Sequence, residues 1–278
     1  MSAMSERYDR AAQRYGIWWA PVLEASALRV LDRVAEAWPA DGQPGAILDL
    51  GTGTGTLALE AAQRWPPAAV TGIDASRGMI LAARERARED LPASDAARIS
   101  FDIADAGHLS YPDGTFDLVV SSFVLQLVQN RLAVLREAHR VLRPGGVLAF
   151  VTWMVADGRF APDEAFFDVL DELNVPDGDA AEEASSGDFV SARAATLQLR
   201  RAGFGEVGAR QEWLDHAFEP ARYPDFLEEY GEYELFRSLP WTLRRRVRRR
   251  TRERLAALPA TAFRWRVPLV TAIARRPA

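Results

Sequence analysis

The fold class this sequence predicts is α/β, built on a parallel sheet, and three observations predict it. Five short apolar runs between Ala46 and Trp153 alternate with stretches of helical spacing. The first run feeds directly into a glycine-rich turn and then a helix. The run Phe116–Ser121 is apolar apart from Asp117 and its terminal Ser121, as a strand buried on both faces tends to be.

Taken in order, Leu28, Leu31, Val34, Ala35 and Trp38 mark a helix face between Ala25 and Trp38, stopped by the breakers from Pro39 to Pro44. Ala46–Leu50 reads as a short buried strand, Gly51–Gly55 as its turn, and Leu57–Trp65 as the helix that follows, ended by Pro66 and Pro67. Ala69–Asp74 is a second strand, and Ser76 can cap the next helix, which buries Met79, Ile80 and Ala83. Ile99–Ile103 and Phe116–Ser121 are the third and fourth strands. A helix over Leu132–Leu142 closes at Arg143-Pro144-Gly145-Gly146, and Val147–Trp153 is the fifth strand. Helices of this length between strands require right-handed crossovers. The rhythm then changes. Residues of about 155–190 and 219–262 read as insertions outside the sheet, while a helix at Ala192–Ala202 and strands near Val207–Leu214 and Arg264–Ala274 resume the pattern.

The 278 residues are 48% hydrophobic and 26% charged, with no cysteine, and all 34 basic residues are arginine. Absent cysteine excludes a disulfide framework, thiolate metal sites and thiol nucleophiles. No apolar run reaches the roughly 18 residues of a membrane-spanning helix. Met1–Tyr15 lacks the apolar centre of a secretory signal, so a cytoplasmic location is expected. Charge is uneven: residues 222–278 carry 14 arginines against 6 acids, and eight of the eleven residues in Arg244–Arg254 are arginine.

A strand, a glycine turn and a helix bring backbone close to a ligand at a helix N-terminus. Two cofactor classes use that turn. Gly53-x-Gly55-x-x-Ala58, with Asp74 about 20 residues on, satisfies a dinucleotide fingerprint. Asp49-Leu50-Gly51-Thr52-Gly53-Thr54-Gly55 instead places a carboxylate at the strand end, where it would repel a pyrophosphate and attract an ammonium or sulfonium.

In this second register the pattern resembles motif I of class I S-adenosylmethionine (SAM) methyltransferases, and the resemblance runs on. Gly72-Ile73-Asp74-Ala75-Ser76 with Met79 is similar to the family's ribose-binding strand end and adenine-packing residue. Asp105-Ala106 is similar to the adenine-amino site. Tyr111-Pro112-Asp113-Gly114-Thr115-Phe116-Asp117 and Arg140-Val141-Leu142-Arg143-Pro144-Gly145-Gly146 resemble the leads into strands four and five. The order is closest to the small-molecule, ubiquinone/menaquinone-biosynthesis-like subgroup. Ser122 matches its cofactor-facing serine, and Tyr8-Asp9-x-x-Ala-x-x-Tyr15 resembles an opening helix that closes over the cofactor through Tyr15.

The resemblance implies a doubly wound, Rossmann-like, seven-stranded, mostly parallel sheet. It implies one domain over residues 1–278, with the insertions at about 155–190 and 219–262 as a helical substrate cap. It further implies SAM as cofactor, S-adenosylhomocysteine as product, no metal, and Asp49, Gly51, Thr52, Gly53, Gly55, Asp74, Ala75, Met79, Asp105, Ala106, Ser122 and Tyr15 as cofactor contacts.

Methyl transfer from a sulfonium is an in-line displacement in which the protein aligns the nucleophile and excludes water. The Asn/Asp-Pro-Pro-aromatic run of nucleobase amino-methyltransferases is replaced here by Ser121-Ser122-Phe123-Val124-Leu125-Gln126, and missing cysteine excludes thiol-dependent arsenic methylation. His216, next to the second insertion, is the candidate base. Gln126 cannot take a proton and is expected to orient the acceptor, with Trp153 as the substrate-facing aromatic. Aromatics from Phe218 to Trp241 either line an acceptor site or pack the insertion on itself. The arginine run is read as a solvated helix. An RNA-directed methyltransferase using Arg244–Arg254, and a non-catalytic SAM-binding protein, are the alternatives, and nucleic acid is not the expected partner.

Overall fold

Two helices precede the first strand in the computed structural model, which describes residues 3–38, 42–156, 158–176 and 185–278. Helix α1 is Ala3–Trp18 and α2 Ala20–Ala37, the latter burying Val22, Leu23, Ala27, Val30, Leu31 and Val34 at helical spacing. The chain continues as β1 (Ala46–Leu50), α3 (Thr56–Arg64), β2 (Ala69–Asp74), α4 (Arg77–Asp90), the single turn α5 (Ala93–Ala96), β3 (Ile99–Ile103), β4 (Phe116–Ser122), α6 (Arg131–Val141) and β5 (Leu142–Trp153). Then follow α7 (Ala161–Glu172), α8 (Ala192–Arg201), β6 (Gly208–Ala217), α9 (Tyr223–Phe226), α10 (Tyr233–Ser238), α11 (Trp241–Ala256) and β7 (Arg264–Arg275). A five-residue π-helical turn, Leu227–Gly231, links α9 towards α10, and a 3₁₀ turn, Ala260–Phe263, precedes β7.

The seven strands form one sheet in the order β3-β2-β1-β4-β5-β7-β6. β1, β2, β3, β4 and β5 pair in parallel, whereas β7 runs antiparallel to β5. This is the doubly wound, mostly parallel sheet expected. At its centre Ile47, Leu48, Leu118, Val119 and Val120 are inaccessible to solvent, which parallel strands covered on both faces require. Each such side chain contributes about 1.5–3 kcal/mol on burial.

Two starts differ from expectation by five residues: α2 begins at Ala20 rather than Ala25, and β5 is the other. β5 begins at Leu142 rather than Val147, because Phe116 pairs with Leu142 before a register shift carries Leu118 onto Val147. Pro144 and Gly145 sit in that irregular start, Gly145 with φ +80°. The motif residues around it tie strands together. Asp117 accepts hydrogen bonds from the Gly45 and Ala46 amides, both at 2.9 Å, and pairs with Arg143 at 2.6 Å. Arg140 donates to the Leu109 and Tyr111 carbonyls and pairs with Glu137 and Asp113.

The chain divides into two units. The first is Met1–Val155, Glu183–Glu212 and Pro268–Ala278, and the second Ala156–Glu182 and Trp213–Val267. The second therefore gathers most of the first expected insertion and all of the second, with its boundaries inside β6 and β7. Residues 177–184 of the first insertion lie outside the described residues. The end of that insertion belongs to the first unit, where Phe189 is buried and stacks on Phe150 at 6.0 Å.

Within the second unit, Phe160, Phe218, Tyr223, Phe226 and Phe263 interlock at ring separations of 5.0–5.8 Å. Most of the insertion aromatics therefore pack the unit on itself, while Trp241 stays exposed. Helix α11 buries Val247, Thr251 and Leu255 and turns its arginines outward onto acids. Arg244 and Arg248 hold Glu228, Arg250 and Arg254 hold Glu172, and Arg252 holds Asp225. The run is thus largely an ion-paired face rather than a simply solvated one.

Candidate functional site

At the end of β1 the backbone turns through Gly51 (φ +69°), Gly53 (φ +54°) and Gly55 (φ +89°) into α3. A Cβ at Gly51 would stand 2.2 Å from Val124, so only glycine fits. A Cβ at Gly53 would meet nothing within 4 Å and would project into open space beside the loop. That opening is the cradle expected of a ligand-binding turn.

Asp49 lies beneath the loop, 1% exposed. Its Oδ2 accepts from Thr52 Oγ1 at 2.7 Å, while Oδ1 is buried and has no hydrogen-bond partner. Burial raises its pKa to about 7 and the Asp74 charge adds to the rise, against the opposing effects of Thr52 and of the Ala58 amide at the start of α3. A carboxylate with an unmatched oxygen in a dry place favours a cationic hydrogen-bond donor.

Asp74, at the end of β2, accepts from the Gly53 amide and the Ser76 amide, each at 2.9 Å. The Ala75 amide also acts on this carboxylate, whose oxygens together offer about four lone-pair sites, so acceptor capacity remains for a ribose diol. Burial raises its pKa, opposed by those amides. Ala75 is exposed beside it, and Met79 is buried on α4 with its amide held by Ser76 Oγ at 3.1 Å. Ser76 is thus the expected cap.

Helix α1 is fixed to this region by Asp9, whose Oδ1 accepts from Ser76 Oγ at 2.6 Å and from the Gly78 amide at 2.8 Å. Burial opposes its charge, but those hydrogen bonds hold the Asp9 carboxyl below its usual range. Tyr8 and Tyr15, one face apart by two turns, meet edge to face at 6.2 Å. Both phenols have raised pKa values, first from burial and also from Asp74, which places them in its field.

A cavity of about 310 Å³ opens in the first unit between α1, the turn after β4, the end of β5 and the segment 185–188. Tyr8, Tyr15, Trp19, Phe123 and Trp153 supply aromatic walls, and Gln126, Ser185 and Asp188 its polar side chains. Ser122 ends β4 beside it. Phe123 takes φ +55°, a conformation costly for an aromatic residue by about 1–3 kcal/mol. The strained turn lays its ring against Trp153 at 4.7 Å. Gln126 holds the turn: Nε2 donates to the Phe123 carbonyl at 2.7 Å, and Oε1 accepts from the buried Thr152 hydroxyl. One amide hydrogen of Gln126 is left for the cavity.

The segment carrying Asp188 is anchored by Arg131. Its guanidinium stacks 3.8 Å over Phe189, donates to the Leu125 carbonyl at 2.9 Å and to the Gly187 carbonyl, and its amide donates to Ser186 Oγ at 3.0 Å.

The structure brings Asp49, Thr52, Gly53 and Asp74 together at the glycine turn, and Tyr15, Gln126 and Trp153 around the cavity. Asp105 is exposed and accepts from the Gly107 amide at 2.8 Å, and Ala106 packs against the core. His108 is exposed 3.3 Å from Asp105, and His139 packs edge-on to Phe204. His216 lies on the part of β6 in the second unit, edge-on to Phe218 at 4.6 Å, its pKa lowered by burial. Among the described residues no group of three or more metal-ligating side chains forms a site. No described helix is long and apolar enough to cross a membrane. Sequence reading missed Phe123 and Asp188. Neither has a local signal: one is marked by its backbone angle, the other reaches the cavity from about 60 residues away in the chain.

Residues 47–146 match the methyltransferase domain family. The chain is 30% identical over 210 residues to the ubiquinone/menaquinone biosynthesis C-methyltransferase UbiE of Paracoccus denitrificans, covering 72% of this chain and 82% of that protein. It is 41% identical over 136 residues to the malonyl-(acyl-carrier protein) O-methyltransferase of Geobacter sulfurreducens, covering 48% and 47%. It thus spans just under half the length of that relative. Among solved structures, the YcgJ protein of Bacillus subtilis superposes with a TM-score of 0.57 at 15% identity, over 90% of this chain and 99% of that one, a likeness of fold.

Proposed function

The chain belongs to the class I SAM-dependent methyltransferases of the ubiquinone/menaquinone-biosynthesis type, and from that premise we propose that it transfers a methyl group from SAM to a small-molecule acceptor. The observation that carries the reading is the buried, unpartnered Oδ1 of Asp49 under a glycine loop with room beside Gly53. A pyrophosphate would be repelled there, and an ammonium-bearing cofactor is attracted. When bound, SAM supplies a methyl group on a sulfonium leaving group.

The protein's own residues then do four things. Asp49 and the loop amides hold the charged end of the cofactor, and Asp74 takes its ribose hydroxyls. Helix α1, fixed by Asp9, keeps Tyr8 and Tyr15 over the site and excludes water. Gln126 offers one N–H to orient the acceptor, and Phe123 and Trp153 form its wall. This alignment is what an in-line displacement needs. Asp105, Ala106, Ala75, Met79 and Ser122 are retained as adenine, ribose and methionine neighbours. The second unit is proposed to set acceptor selectivity, supported by the assembly of most of the first insertion and all of the second into it. The reading is of a metal-independent cytoplasmic enzyme acting on a small molecule. The pairing of five of the eight arginines in Arg244–Arg254 with Glu172, Asp225 and Glu228 supports that face as part of the second unit rather than an RNA track.

The test is calorimetry with SAM and S-adenosylhomocysteine. Asp74→Ala should weaken both by at least about a hundredfold, since two hydrogen bonds to a charged group contribute about 1.5–3 kcal/mol each. Unchanged affinity would remove the site assignment.

A further inference from the structure

We propose that the cavity beside Trp153 is an ammonium cage, and that the acceptor is an amine methylated on nitrogen with Asp188 as its counter-ion and proton acceptor. This deepens the methyltransferase reading and rests on it.

Five aromatic rings, from Tyr8, Tyr15, Trp19, Phe123 and Trp153, line one cavity with one carboxylate, Asp188. The rings are not parallel: Phe123 and Trp153 are tilted at 45°, and Tyr8 and Tyr15 at 77°. The wall is therefore aromatic on several sides, and the electron-rich face of an aromatic ring attracts a cation and repels an anion. Among the described residues lining the cavity there is no cationic side chain. The nearby guanidinium, Arg131, stacks on Phe189 and holds the Leu125 and Gly187 carbonyls, and its charge acts on Asp188 from outside the cavity lining. The phenols of Tyr8 and Tyr15 also lie in the field of Asp74. A phenolate or carboxylate acceptor would meet ring faces and the Asp188 carboxylate, with no cation among the lining residues. An ammonium group meets aromatic faces and a counter-ion.

The strain at Phe123 fits the same purpose. Any residue type could end β4 in an extended conformation, and the φ of +55° is held by the Gln126 hydrogen bond to the Phe123 carbonyl. The outcome is one more ring in the cage. At about 310 Å³ the cavity is at the small end of ligand sites, suited to a compact amine.

Chemistry requires the bound ammonium to lose one proton before it can react. That proton passes to the Asp188 carboxylate at the cavity mouth and on to solvent. Partial burial raises the pKa of Asp188 while Arg131 lowers it. The freed nitrogen lone pair forms the N–C bond to the methyl group as the C–S bond breaks, its electron pair remaining on sulfur. The methylated product leaves as a cation, and the charge count closes.

The experiment uses the whole protein saturated with S-adenosylhomocysteine and two probes of the same shape, choline and its uncharged isostere 3,3-dimethylbutan-1-ol, by calorimetry. Choline is expected to bind at least about tenfold tighter, with Asp188→Asn and Trp153→Leu each reducing that preference several-fold. Equal or tighter binding of the neutral probe overturns the proposal. So does choline binding that vanishes when S-adenosylhomocysteine is present, which would assign the cage to the cofactor sulfonium. If Asp188→Asn lowers the melting temperature, the Trp153→Leu ratio and the wild-type ratio decide. Failure of S-adenosylhomocysteine to bind at all sinks the methyltransferase reading instead, a result distinct from loss of cation preference.

Discussion

Cofactor affinity should follow the ionisation of Asp49. Its carboxyl is buried with one oxygen unmatched, and its pKa is raised to about 7. Only the ionised form attracts the ammonium of S-adenosylhomocysteine. At pH 6, one unit below that value, about one molecule in eleven is ionised, so affinity should fall about tenfold from its plateau, or about 1.4 kcal/mol. Above pH 7 affinity should level off, until the ligand's own amino group, near pKa 8, deprotonates. Stability of the ligand-free protein should move the opposite way. Unfolded Asp49 ionises near pH 4 but folded Asp49 near 7, so between these values the folded state holds more protons. Stability is therefore lost as pH rises through that window, by up to about 4 kcal/mol. Calorimetry from pH 5.5 to 8.5, in buffers of different ionisation enthalpy, reads both affinity and protons released. Asp49→Asn should weaken binding at pH 8, flatten its pH dependence and raise the ligand-free melting temperature at that pH. Affinity that is flat between pH 6 and 7.5, or that rises on acidification, would refute the reasoning.

Three further outcomes are expected. Phe123→Gly and Phe123→Ala both lose the ring, but Ala keeps the left-handed strain, so urea unfolding should find the Gly variant more stable by about 1 kcal/mol. Arg131→Ala strips donors from the Leu125 and Gly187 carbonyls and should cost about 2–4 kcal/mol, with faster protease cleavage at 185–188. Arg250→Ala and Arg254→Ala disrupt exposed pairs to Glu172 and should each change unfolding free energy by less than about 1 kcal/mol.

Much of the sheet was legible because β1 and β4 are mostly apolar runs and the turn after β1 needs glycine. Asp49 and Asp74 were legible for the same local reason, each standing at a strand end beside a turn. Ser76 announced itself as a cap three residues before Met79. What local pattern could not carry is contact across the chain. Asp9 caps the Gly78 amide of α4 from 69 residues away, and Arg131 holds the Gly187 carbonyl from 56. Nothing adjacent to Asp188 marks it as lining a cavity. The start of β5 was misplaced because Pro144 and Gly145 read as a turn, whereas a register shift in the β4 pairing accommodates them. The insertion aromatics kept two meanings until their ring contacts distinguished packing from lining.

β7 follows every other strand in the chain, yet in the sheet it lies between β5 and β6. During synthesis β6 therefore leaves the ribosome with its neighbour not yet made, about 46 residues ahead of it. Until β7 arrives, β5 presents an open backbone edge to the cell, one that another chain could pair with. Vectorial folding can build the β1–β5 half early, but the interior slot must be filled from the tail. A nascent chain stalled in the arginine-rich stretch before β7 would expose that edge for as long as the stall lasts.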